Sequence, residues 1–436
     1  MNQSKLHLGA VAIAIAALWA AGCGSTSGGG GSIMPQGGSL AGMTQGGTVH
    51  QLHGTHPLTI AQMHVLTLQD NSSPQVPSFT WTQMAPFVDW TSVQPGSNAA
   101  AKAAGIKTML YTDPNRVFAP MPEYSNDETE YAHDCNNSRI TIKNSKTPTY
   151  LTQPTSTVLL GLWQAHVAFY NQIGNAQYDA VFEDTPIVRN VSAQPCGYLQ
   201  SAWLANQNSM NTGLGYPIIF NGLANLANGS NQMSPAMALL PTSIGGDMEG
   251  CYSNAAGAAL PDLKVWHTFE NTEIQVLAAG KLFICRGFDN TPDTAAQVQR
   301  LYMYGSFLLT YDPALAIISP KFKPASNGFY VQPEDQLVAL DPIITQPSSI
   351  DSLNQGTNVY ARQYASCYYA GQSIGACATV VNSDRPTTPH PMPFAGVYQH
   401  TLVLSGGDIL DGGTASTVGP APATTIAGST AIIEIQ

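Results

Sequence analysis

Three observations predict an α/β fold for this chain, a (β/α)8 TIM barrel followed by a small antiparallel β-sandwich domain. Eight short apolar runs recur between residues 63 and 320, each short enough to be a strand buried in a parallel sheet. The stretches between most of them repeat apolar residues at helical spacing, and eight such units over about 260 residues match the size of a (β/α)8 barrel. From residue 325 the helical spacing disappears, leaving β-rich runs separated by Gly, Pro and Ser turns.

In order, the runs are MHVLTLQD (63–70), FVDWTSV (87–93), IKTMLYTD (106–113), YDAVFED (178–184), YPIIFNG (216–222), TSIGGDMEG (242–250), KLFICRGF (281–288) and ALAIISP (314–320). In the segment 155–174, Leu159, Leu162, Trp163, Phe169 and Ile173 share one helical face, and Gly174 stands where a C-cap is expected. Thr291-Pro292 makes an N-cap and first-turn pair for a second helix, with Val298, Leu301, Leu308 and Leu309 as its stripe; Gly280 marks another helix end. A doubly wound open sheet is the competing arrangement, but no Gly-rich phosphate loop follows the first strand. The polar, aperiodic segment 114–154 reads as a long loop over the barrel's C-terminal face. VYARQYASCYY, GACATVVNS, HTLVLSG and STAIIEIQ are the strands of the last region, so the organisation is a barrel over 56–324 and a β domain over 325–436.

The first 55 residues have another character. Lys5 precedes an apolar run, Leu8 to Ala21, too short for an ordinary span, which ends Ala20-Ala21-Gly22-Cys23. Small residues directly before a cysteine resemble a bacterial lipoprotein signal, with 1–23 as signal peptide and Cys23 as the lipidated residue. The Gly/Ser/Thr-rich stretch 24–55 is a flexible tether. His50 and His53 within it and His56 directly after it lack a helical pattern and read as solvated linker; no metal or other cofactor is expected. Six further cysteines, an even number in an exported chain, favour disulfides. Of the 15 connectivities open to six cysteines, nearest-neighbour pairing is expected: Cys135–Cys196, Cys251–Cys285 and Cys367–Cys377. The location expected is thus the bacterial cell envelope, lipid-anchored to the outer membrane or cell surface.

Net charge is −11, yet only 10% of residues are charged, against a usual share of about 25%. A nucleic-acid partner, which needs a basic patch, is excluded; a neutral or mildly charged one suits this surface. In a (β/α)8 barrel the working groups stand at the C-terminal strand ends. Here those ends carry Asp70, Tyr111 and Asp113, Asp184, Asn221, Asp247 and Glu249, and Arg286 with Asp289. Several carboxyl groups around one mouth suit glycosidic-bond hydrolysis, in which one protonates the leaving oxygen and another attacks or activates water. Trp90, Tyr111 and Phe288 are available to stack on a sugar ring. No G-x-S-x-G occurs, so a serine nucleophile of that kind is not found.

Alternation selects among the acids. Ala180, Phe182 and Asp184 share one face of the fourth strand and Glu183 lies on the other, so only Asp184 is placed to face the mouth. Asp247 and Glu249 share a face, and the later position reaches further out. Bland roles exist for others: Asp113 before Pro114 as a turn cap, Asp70 as a solvent-facing strand end, Arg286 with Asp289 as a structural pair, and Asp312-Pro313 as a turn.

YDAVFEDT, DMEGCY, RLYMYGSFLLTYDP and the late VYARQYA with ATVVNS resemble exported glycoside hydrolases built from a TIM barrel and a C-terminal β-sandwich. Their fourth strand runs Asp-Gly-apolar-Phe-apolar-Asp; here it is Asp179-Ala180-Val181-Phe182-Glu183-Asp184, with Ala180 in place of glycine and Glu183 in place of an apolar residue. The resemblance implies a carbohydrate substrate, with Asp184 as nucleophile and Glu249 as acid/base. The two departures also suit a surface lipoprotein that binds glycan, or supports the envelope, without catalysis.

Overall fold

The structure, a computed structural model, describes residues 62–65, 80–93, 95–118, 127–143, 148–184, 186–224, 232–252, 263–289, 296–322, 332–384, 388–407, 409 and 412–436. The leader, the tether, Cys23, the three linker histidines, Asp70, the Thr291-Pro292 pair and the boundary at 324/325 lie outside them. The side chains of Phe288 and Asp289 do as well.

Each apolar run contributes a strand: β1 (Gln62–Val65), β2 (Val88–Ser92), β3 (Lys107–Thr112), β4 (Ala180–Glu183), β5 (Ile218–Asn221), β6 (Gly245–Glu249), β7 (Leu282–Asp289) and β8 (Ala316–Phe322). From β2 to β8 they form one curled, wholly parallel sheet of seven strands in the order β2-β3-β4-β5-β6-β7-β8. β1 lies between its two edges, paired with β2 along its length but with β8 only at Gln62↔Ile318. The ring therefore meets at a one-residue seam rather than along a full strand.

Helices α1 (Pro95–Ala103), α2 (Thr157–Ile173), α3 (Gln200–Leu214), α4 (Leu263–Ala278) and α5 (Ala296–Thr310) cover the outside, and a 3-10 segment, Pro235–Thr242, replaces the helix between β5 and β6. Pro241 has no N–H to donate and resists a longer α-helix there. The Ser156 side chain caps α2 by accepting from the Leu159 N–H. The buried stripe of α2 is Leu159, Trp163 and Val167, at i, i+4 and i+8. The expected face is corrected in part: Phe169 and Ile173 are 53% and 48% exposed. Gly174 is right-handed, and Asn175 takes the left-handed turn after it with φ 52°. Gly280 does adopt positive φ, 66°, after α4.

The segment after β3 is more ordered than the long loop expected. Arg116–Phe118 pairs with Thr149–Leu151, and Ala132, Ile140 and Leu151 pack with Val191 and Trp203 into a small core of their own. The Cys135–Cys196 disulfide ties this excursion to the segment after β4.

The last region is a five-stranded antiparallel sheet of β9 (Leu337–Pro342), β10 (Val359–Tyr369), β11 (Gln372–Asn382), β12 (His400–Thr401) and β13 (Thr430–Ile435), in the order β9-β10-β11-β13-β12. In place of a second sheet of similar size, short ribbons accompany it. One of them packs Met392 and Ile426 onto Val359, Ala361 and Val380. The other face lies on α5: Thr379 Oγ1 donates to the Gly305 carbonyl at 2.9 Å, and buried Arg362 donates to the carbonyls of Leu309 at 3.2 Å and Tyr311 at 3.0 Å. Sandwiched between two sheets, α5 buries nearly every side, which is why its residues lack a single apolar stripe; Val298, expected in that stripe, is half exposed. Barrel and antiparallel sheet belong to one compact unit. The Cys251–Cys285 and Cys367–Cys377 disulfides form as the spacing predicts. No helix among the described residues is long and apolar enough to cross a membrane.

Candidate active site

The barrel interior fixes which side chains reach the mouth. Trp90, Met109, Ala180, Phe182, Ile219, Leu282, Ile284 and Ile317 pack together inside the ring. One pleat further along the same faces stand Tyr111 and Asp113, Asp184, Asn221, Asp247 and Glu249, and Arg286, because strand side chains repeat every second residue. The apolar layer and the polar layer above it are thus one alternation, continued past the point where the barrel opens.

Neighbouring register brings these groups into contact. Asn221 pairs with Asp247, and Glu249 with Arg286, across β5, β6 and β7. The Asp184 N–H donates to the Thr112 carbonyl at 2.9 Å, which sets Asp184 beside the end of β3. Tyr111 Oη donates to Asp184 Oδ2 at 2.6 Å, its ring stacked 5.9 Å from that of Phe182. Asn221 Nδ2 donates to Asp184 Oδ1 at 2.9 Å and to Glu249 Oε2 at 3.0 Å. A single nitrogen therefore bridges the two acids and holds those oxygens within about 6 Å, close to the ~5–5.5 Å carboxyl spacing of retaining glycosidases.

The acids differ in environment. Burial works to raise the Asp184 carboxyl, but hydrogen bonds from Tyr111 and Asn221, helped by Arg286 and Arg116, hold it below the usual carboxylate range. Burial and the neighbouring Asp184 charge push Asp113 well above that range, although Arg116 Nε stands 3.8 Å from its Oδ2. Asp247 is fully buried, which works to raise its carboxyl, whereas the Arg286 guanidinium in direct contact with its Oδ2 favours the ionised form. The Glu249 side chain is 35% exposed, far more open than that of Asp247, with Arg286 Nη2 at 3.6 Å. Arg286 is itself buried above the Phe182 ring.

Glu183 faces the other way. It is buried between β4 and α3, where Gln207 Nε2 donates to it at 2.5 Å and Asn211 Nδ2 at 2.7 Å. Burial raises its carboxyl to about 7, and it takes no part in the mouth. Asp179 at the opposite end of β4 accepts from Lys102 Nζ at 2.6 Å and from the Thr108 N–H at 2.8 Å, so its role is structural. Trp90, a stacking candidate, is instead inside the apolar layer and buried. Asp312 accepts from the Ala314 N–H at 2.8 Å, the turn expected of Asp-Pro. Two groups were missed by reading strand ends alone: Arg116, which faces Asp113, and Asn115, whose Nδ2 stands 3.4 Å from both Glu183 Oε1 and the Asp184 carbonyl. The signal was Asp113-Pro114, a turn in which the Arg116 N–H donates back to the Asp113 carbonyl at 3.3 Å. Cys251, two residues past Glu249, is bonded to Cys285, one before Arg286, so a covalent link fixes these two strand ends together. Among the described residues, no group of three or more His, Cys, Asp or Glu is placed to hold a metal ion.

No known protein family matches the chain, and no curated protein matches it in sequence. Solved structures similar to it include the glycoside hydrolase domain of PelA from Pseudomonas aeruginosa, 11% identical over 61% of this chain and 95% of that one, with a TM-score of 0.38. Others are Ega3 from Aspergillus fumigatus in complex with galactosamine, 12% identical over 61% and 91% with a TM-score of 0.37, and Amy13B from Eubacterium rectale, 8% identical over 90% and 99% with a TM-score of 0.43. Likenesses this remote carry no argument about activity. The chemistry of the site must carry it.

Proposed function

We propose that this chain is a retaining glycoside hydrolase in which Asp184 is the nucleophile and Glu249 the general acid/base. The observation that carries this reading is the Asn221 amide shared between the two carboxylates, which keeps the two bonded oxygens no more than about 6 Å apart, a limit compatible with the ~5–5.5 Å carboxyl spacing of double displacement. Asp184 is kept ionised by its donors, as a nucleophile must be. Glu249 stands at the open side, where a leaving group departs and water enters. Its Oε2 is occupied by Asn221, so the proton it delivers sits on Oε1.

In the first step Asp184 attacks the anomeric carbon. The glycosidic C–O bond breaks as Glu249 protonates the departing oxygen, leaving a glycosyl ester on Asp184. In the second step Glu249 takes a proton from water, the oxygen of that water bonds to the anomeric carbon, and Asp184 is released. Asp113, Arg286, Tyr111 and Asn221 line the sugar site with Asp247 buried behind Arg286, and the substrate is a neutral or mildly charged polysaccharide outside the cell or in its envelope. Export as a lipid-anchored protein is supported by the apolar leader ending at Cys23 and by three disulfides.

The test is a glycan panel offered to the soluble portion, with Asp184→Asn and Glu249→Gln as controls. Hydrolysis of one class, lost in both variants, is expected. Activity undiminished in either variant contradicts the assignment. Binding of a glycan without hydrolysis by the wild type favours the non-catalytic surface lipoprotein.

A further inference from the structure

Asp247 has no room to touch a substrate as freely as Glu249, since it is fully buried two residues earlier on the same face of β6. Its Oδ2 is in contact with Arg286 Nη2, and its Oδ1 has no hydrogen-bond partner among the described residues. The same Arg286 Nη2 lies 3.6 Å from Glu249 Oε2. One guanidinium nitrogen is therefore placed between two carboxyl groups, in contact with one and within ion-pair reach of the other.

Burying a carboxylate is strongly unfavourable unless it is paired, so a purely structural Asp247 would be a costly way to fill the barrel. Its placement matters for Glu249. A cation beside a carboxyl favours loss of its proton, whereas an anion favours its retention. Among the described residues, the charged groups set against Glu249 are Arg286 from β7, Asp247 from its own strand, and Asp184 from β4, which shares the neutral Asn221 of β5 with it.

We infer that Asp247 is a positioning residue that anchors Arg286 and offsets its charge, so that Glu249 keeps the proton it must deliver to the leaving group. The inference rests on Glu249 being the acid/base. Asp247 does not act on the sugar. It acts through Arg286, which packs over Phe182 and would otherwise present an unbalanced charge to Glu249. The Cys251–Cys285 disulfide supports the arrangement by tying the ends of β6 and β7 together.

The chain has nine glutamates, few enough for 13Cδ-glutamate labelling to follow each carboxyl by NMR. Glu249→Gln identifies the Glu249 signal. In Asp247→Asn that signal should titrate lower than in the wild type by about one pH unit, the low end of the effect of a nearby opposite charge. Arg286→Gln should move it in the opposite direction, and this variant decides the matter if Asp247→Asn does not fold. An unmoved signal, or an upward shift in Asp247→Asn, overturns the inference. The alkaline limb of kcat/KM should move down in Asp247→Asn, whereas loss of a merely structural residue would lower kcat without moving the limb. If the wild type hydrolyses no glycan the reading of function fails, while the NMR titration still decides the role of Asp247.

Discussion

Replacing Tyr111 by Phe removes one oxygen and leaves the ring stacked on Phe182, so its effect is confined to the donor on Asp184. That hydrogen bond is 2.6 Å long and ends on a charged acceptor, the kind worth about 1.5–3 kcal/mol. At ~1.36 kcal/mol per pH unit, losing it should move the Asp184 titration by about 1–2 pH units. Asp184 is half-buried, so solvent screening places the expected value at the lower end, about one pH unit. The direction follows from which form is held. A carboxyl kept below its ordinary range supports folding and attack above that range, and both fall away as pH drops through it. In Tyr111→Phe the acid limb of kcat/KM should therefore move up by about one pH unit, with kcat reduced at neutral pH. The assay is a pH–rate profile of the variant beside the wild type, with a denaturant titration at pH 7 to confirm folding. An acid limb in the same place, in a folded variant, would refute the reasoning that Asp184 is the ionised partner.

Glu273, on α4, is raised to about 8 by burial, with Tyr252 Oη donating to its Oε2 at 2.7 Å and Glu270 buried beside it. A carboxyl raised on folding stabilises the protein below its unfolded value and ceases to do so as pH rises through the folded one. Unfolding free energy should thus decline between about pH 4.5 and pH 8, and Glu273→Gln, which can still accept from Tyr252, should flatten that decline in urea titrations. Loss of the Cys251–Cys285 disulfide by paired Ala substitution should lower stability by about 3–4 kcal/mol from chain entropy, with a matching fall in kcat from displacement of Glu249 and Arg286. Gly305 permits close approach of α5 to the antiparallel sheet, since a Cβ there would lie 2.6 Å from Ala431 Cβ and 3.2 Å from Thr379 Oγ1. Gly305→Ala should cost about 1–3 kcal/mol through overpacking, more than the ~1 kcal/mol gained in helix propensity; thermal unfolding measures the difference.

The barrel strands were legible because a buried parallel strand is a short continuous apolar run, and period-two alternation then told Asp184 from Glu183. The same rule placed Asn221, Glu249 and Arg286 in one layer without any knowledge of their contacts. What alternation cannot show is which groups touch. The shared amide of Asn221, and the division of Arg286 between Asp247 and Glu249, depend on strand stagger around the ring. Helix faces were harder to read. Phe169 and Ile173 fit an apolar stripe yet face outward, since α2 rests on the barrel along Leu159, Trp163 and Val167 only. Stripe reading failed on α5 for the opposite reason, because the antiparallel sheet covers the side that would otherwise face water. The segment after β3 looked aperiodic because its small core uses single residues from short bridges rather than a repeating face.

The central claim is the division of labour between Asp184 and Glu249, and azide rescue tests it most directly. With a cleavable substrate bearing an activated leaving group, Glu249→Ala should regain turnover in azide and release a glycosyl azide of retained configuration, because azide replaces water in attacking the Asp184 ester. Asp184→Ala should instead yield the inverted azide, formed by direct displacement. NMR of the anomeric proton distinguishes the two products. Retained azide from Asp184→Ala, or inverted azide from Glu249→Ala, would contradict the account.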